Sequence, residues 1–135
     1  MLGIEGFQYL SFETIGGFAS MIPKMDMETI ELAMEQCPAL KEVFTDLATK
    51  HGTLIERALG GDRAYQRKFF DVCDEAYDVL MKKIKGDLSM DEIENIEQRL
   101  AVIYELKSMN RENIDREVLG KYLRVCELGV RNRKI

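Results

Sequence analysis

One apolar stripe constrains the fold of this chain more than any other feature. From Leu40 through Val43, Phe44, Leu47, Ala48, Leu54, Ile55, Ala58 and Leu59, apolar residues recur at the three- and four-residue spacing of a single helix face. Pro38 fits the first turn of this helix, where its missing N–H is not needed, and Gly60-Gly61 ends it. A helix with so long an apolar side has to be buried against other elements.

The rest of the chain supplies them, as further helices. Asp26 precedes "METIELAMEQC", in which Ile30, Ala33, Met34 and Cys37 share a face. Asp62 is placed to cap a helix whose stripe is Phe69, Cys73, Ala76, Tyr77, Leu80 and Ile84, stopped at Gly86. In "SMDE", Ser89 and Glu92 form a capping box for a helix carrying Ile93, Ile96, Leu100 and Ile103. Asn110 and Asn113 are alternative starts for a last helix through Ile114, Val118, Tyr122 and Val125, fading after Gly129. In residues 1–23, Phe7, Leu10, Phe18 and Met21 lie near helical spacing around Gly16-Gly17, which predicts a short helix weakened or bent at the glycines. Period-two alternation is scarce. The expectation is all-α: one domain over 1–135, a compact bundle of five or six helices with mainly antiparallel neighbours. Residues 1–23 are expected to be loosely packed or to form an interface, and 130–135 to be a disordered tail.

Charge narrows the function. Residues 1–61 hold nine acidic and four basic side chains, whereas 62–135 hold 15 of each, so the net charge of −5 belongs to the N-terminal half. An acidic domain without a basic stripe argues against nucleic-acid binding. The short clusters at Lys82-Lys83-Ile84-Lys85 and Arg131-Asn132-Arg133-Lys134 fall at helix ends, where the macrodipole favours cations. The start of the sequence lacks the basic region, compact apolar run and small-residue cleavage site of a signal peptide, since Glu5, Gln8 and Glu13 interrupt its apolar residues, and no 18-residue uncharged run exists to span a membrane. Glu5 and Glu13 also argue against a membrane-surface helix. Three separated cysteines, Cys37, Cys73 and Cys126, read as buried reduced thiols in a cytoplasmic setting.

The stretch "FFDVCDEAYDVLMKKIKG", residues 69–86, most resembles chemistry, since it gathers Asp71, Asp74, Glu75 and Asp78. At 100° per residue these carboxylates fall about 100 to 200° from Cys73, whereas the apolar stripe lies within roughly ±60°. They are therefore expected to face water. The pairs Glu28-x-x-Glu31, Glu75-x-x-Asp78 and Glu94-x-x-Glu97 leave an alternative: a Mg²⁺-dependent nucleotide phosphohydrolase using Asp74, Asp78, Glu94 and Glu97.

His51, the single imidazole, falls on or beside the longest stripe with no Ser or Asp spaced for a triad, and reads as partly buried. A zinc site from His51 and the three cysteines lacks the closely paired ligands such sites use. Met21, Met25, Met27 and Met34, beside Phe7, Tyr9, Phe12 and Phe18, supply adaptable apolar surface. The favoured expectation is a protein-binding or regulatory module without a catalytic signature, metal or cofactor: an adaptor, inhibitor or scaffold subunit of viral or bacterial type. Its partner would be another protein or a second copy of the chain, contacted through Phe7, Leu10, Phe18 and Met21.

Overall fold

The computed structural model describes the backbone of residues 12–133 and the side chains of residues 15–129. The described residues form six α-helices: α1 (Phe12–Met21), α2 (Met27–Gln36), α3 (Pro38–Leu59), α4 (Arg63–Lys83), α5 (Met90–Lys107) and α6 (Arg116–Arg133). A 3₁₀ turn (Ile22–Lys24) joins α1 to α2, and the described residues contain no strand.

Most starts use the expected side-chain caps. Asp26 accepts the Thr29 N–H at 2.8 Å, Asp62 accepts those of Ala64 and Tyr65, and Ser89 and Glu92 form the reciprocal capping box. The last helix differs from expectation. Asn110 Oδ1 accepts from the N–H groups of Glu112 and Asn113 and so closes a turn, while Asp115 accepts from Glu117 and Val118 and starts α6. The helix then runs past Gly129 to Arg133, so the backbone of 130–133 is helical where a tail was expected.

Helix α3 is the hub, packing against α2, α4, α5 and α6, with α1 laid on α5. Phe44, Ile55, Phe69, Leu106, Leu119 and Leu123 are fully buried where these helices meet. The hub is not one continuous rod. At His51 the backbone takes φ −131° and ψ 35°, far from helical values, and Gly52 follows. A second local feature joins α3 to α6: a Cβ on Gly129 would lie 2.9 Å from Thr45 Oγ1 and 3.2 Å from Thr45 N, so only glycine admits this crossing without movement.

Gly16-Gly17 do not break α1. Ile15, Phe18, Ala19 and Ile22 follow the i, i+3, i+4, i+7 rule and are all buried, and a Cβ on Gly16 would make only an ordinary 3.6 Å contact with Ala101 of α5. The face of this segment that carries Ile15, Phe18, Ala19 and Ile22 is therefore core, while Ser20 and Met21 lie on its exposed side. Its last turn has a specific tie. The helical donor for the Ala19 carbonyl would be residue 23, but Pro23 has no N–H, and the buried Tyr122 hydroxyl donates to that carbonyl instead at 2.8 Å. Tyr122→Phe removes this donor and is expected to cost about 1–2 kcal/mol, the typical penalty of an orphaned buried acceptor. Hydrogen exchange should accelerate in residues 12–22 before α3 responds; uniform acceleration would assign Tyr122 to general packing.

Candidate functional site

A groove of about 150 Å³ opens between α3 and α4, with Arg99 and Ile103 of α5 at its side. Its floor is apolar and belongs to the core: Val43, Leu47, Val72, Leu80 and Ile103 are each at most 8% exposed. Val79 stands on the wall at 46% exposure, one of the few large apolar side chains the described surface shows to water. This face arises because α4 carries two stripes. The core stripe runs through Phe69, Cys73 and Leu80, and the second, through Val72, Ala76 and Val79, is rotated about 70° from it and only partly covered.

The rim is charged, and its charges are unequally satisfied. Arg99, largely buried, donates from Nη2 to Asp46 Oδ2 at 3.2 Å and lies 3.7 Å from Glu42 through Nε, which ties α5 to α3. Lys50, Lys83 and Glu75 form no ion pair among the described residues. Half-buried His51 reaches the groove from the break in α3. The groove offers an apolar seat with a charged edge.

The acidic residues of α4 divide between solvent and ion pairs. Glu75 and Asp78 are exposed, while Arg111 donates to Asp71 at 2.9 Å, pairs with Asp74, and lies over the Phe70 ring at 5.8 Å. Lys107 adds a contact to Asp74 at 3.7 Å. Asp74 therefore serves as an anchor for two cations. Glu94 and Glu97 are exposed on α5, and no three His, Cys, Asp or Glu side chains among the described residues come together as a metal-holding group. The set Asp74, Asp78, Glu94 and Glu97 is not assembled into one.

The thiols are equally remote from reactive chemistry. Cys37, Cys73 and Cys126 are free and buried; burial pushes the Cys73 thiol up to about 12 and holds that of Cys126 well above its ordinary value. Neither is a thiolate at neutral pH.

Of the four residues expected to contact a partner, Phe18 is buried at 7% exposure and Met21 stands out at 50%, while Phe7 and Leu10 lie outside the described residues. Met34 is fully buried, and Met25 and Met27 pack against the core. The sequence pattern did not single out Val79, Lys50 or Arg99, and placed Lys83 only in a helix-end cluster. The available signals were the seven-residue spacing of Val72 and Val79 off the core stripe, and the polar run Thr49–Thr53 that interrupts α3.

No helix among the described residues is long and apolar enough to cross a membrane. Comparison with family models, with curated proteins and with solved structures finds no match to this chain.

Proposed function

We propose that the chain is a protein-binding module whose α3–α4 groove seats one apolar or aromatic side chain of a partner protein, flanked in that partner by acidic residues. The observation that carries this reading is an apolar floor left open beside an exposed Val79. A space of about 150 Å³ is the size that accommodates a benzene ring in a protein interior, so the fit is to a single anchor side chain. The unpaired rim charges, Lys50 and Lys83 against Glu75, favour an acidic flank. A module of this kind acts as an adaptor, inhibitor or scaffold subunit. Met21 offers a second exposed apolar contact.

A random peptide display library is the direct probe. Peptides selected on the wild-type protein should share an apolar or aromatic residue next to Asp or Glu, and Val79→Asp should weaken their binding by about tenfold or more. Because Val79 is already half in water, that variant should keep its helical circular dichroism. Selected peptides that bind Val79→Asp equally well would remove the groove from the reading. Concentration-dependent sedimentation abolished by Val79→Asp would make the partner a second copy of the chain.

A further inference from the structure

A second concavity, also about 150 Å³, lies where the start of α4 meets the segment leading into α6, and its lining includes Arg63, Arg67, Arg111 and Arg116 against one carboxylate, Glu112. We propose that this pocket binds a phosphomonoester, the dianionic phosphate carried by a phosphorylated side chain or by a small phosphorylated metabolite.

The pairing pattern supports this assignment. Arg111 is neutralised and oriented by Asp71 and Asp74, with its Nη2 also 3.5 Å from the Phe70 carbonyl, so one guanidinium is held in place. Arg63, Arg67 and Arg116 form no ion pair among the described residues, although the chain has 24 acidic residues for 19 basic ones. Arg63, Arg67 and Arg116 are exposed at the edge of this concavity, so their charge is open to an anion that enters it. Guanidinium forks match phosphate oxygens in bidentate geometry, which an ammonium does not.

The two helix starts contribute little by themselves. Asp62 accepts the first N–H groups of α4 and Asp115 those of α6, so both termini already have their anion. The recognition therefore rests on the arginine side chains. Size points to one phosphoryl group within the pocket, and residues 62–135 carry 15 basic and 15 acidic side chains overall, with no stripe for a nucleic-acid backbone to follow.

Calorimetric titration of the full chain with inorganic phosphate, O-phosphoserine and adenosine monophosphate tests the site, against sodium chloride at matched ionic strength. Saturable binding of at least one phosphate compound is expected, with affinity lowered about tenfold or more in the Arg67→Gln/Arg116→Gln variant and with helical content unchanged. Tighter binding of O-phosphoserine than of the nucleotide identifies a phosphorylated protein as the source, and the reverse order identifies a metabolite. Equal heats for phosphate and chloride would overturn the proposal. So would phosphate binding that the double variant leaves intact. Should that variant unfold, Arg116→Lys keeps the charge while removing the fork, and undiminished affinity in it would overturn the bidentate assignment.

Discussion

Gly129→Val is expected to destabilise the protein by about 3 kcal/mol, at the upper end of the usual cost of overpacking, and to lower the melting temperature by roughly ten degrees. The reason is the crossing of α6 over α3, where a Cβ would meet the Thr45 backbone N at 3.2 Å and its Cα at 3.3 Å. Backbone cannot rotate away as a side-chain tip can. Gly129→Ala should lose less, because the strain is partly offset by the roughly 1 kcal/mol that alanine gains over glycine within a helix. Adding Thr45→Ala should recover part of either loss. It removes the 2.9 Å contact together with a buried hydroxyl that has no hydrogen-bond partner among the described residues. Unchanged melting of the valine variant would mean that α6 does not cross α3 at this point.

The other large effect is alkaline. Burial raises the Cys73 thiol from 9.0 to about 12, and Cys126 is shifted the same way by burial, then by Cys73 and Glu127. Burial, followed by Glu105, also raises the Tyr122 phenol above its ordinary 10.0. Below pH 9 these groups hold their protons whether the chain is folded or not, and they contribute no pH dependence. Above it, the unfolded chain releases protons that the folded chain retains, so the unfolded state binds fewer and stability falls as pH rises. The loss should run from about pH 9 to about 12 for Cys73, and begin near the ordinary values of 9.0 for Cys126 and 10.0 for Tyr122. Each retained proton contributes a slope of about 1.4 kcal/mol per pH unit. Urea melts between pH 8 and 11.5 would measure it. Cys126→Ala should start from lower stability at neutral pH, because of the cavity it leaves, yet show a shallower alkaline decline by one proton. Stability that stayed flat across this range would place these groups in contact with water.

The all-α fold was legible because its signals are local. A carboxylate or hydroxyl before an apolar repeat, and a glycine after it, act within one turn, and Asp26, Asp62 and Ser89 cap as their neighbours dictate. The start of α6 was harder because Asn110, Asn113 and Asp115 all have capping chemistry within six residues, and only packing selects among them. Phe18 looked available because two adjacent glycines weaken an isolated helix. Burial of Ile15, Phe18, Ala19 and Ile22 in the core outweighs that intrinsic cost. The candidate sites were the least legible. The groove depends on how far α3 and α5 cover a second stripe of α4, and the arginine pocket joins residues 63–67 to residues 111–116, which no local spacing connects.

The break at His51 also has a mechanical consequence. An intact helix carries a push along its axis as a single strut, whereas an interrupted one behaves as two levers whose relative angle is set by whatever each is fastened to. The first length of α3 is fastened to α5 through Asp46 and Arg99 and lines the groove as far as His51. The second is fastened to α4 where buried Gln66 donates to the Ala58 carbonyl at 3.0 Å, and Gln66 lines the arginine pocket. The joint thus stands at the edge of the groove, and the lever beyond it is tied through Gln66 to the helix that borders the arginine pocket.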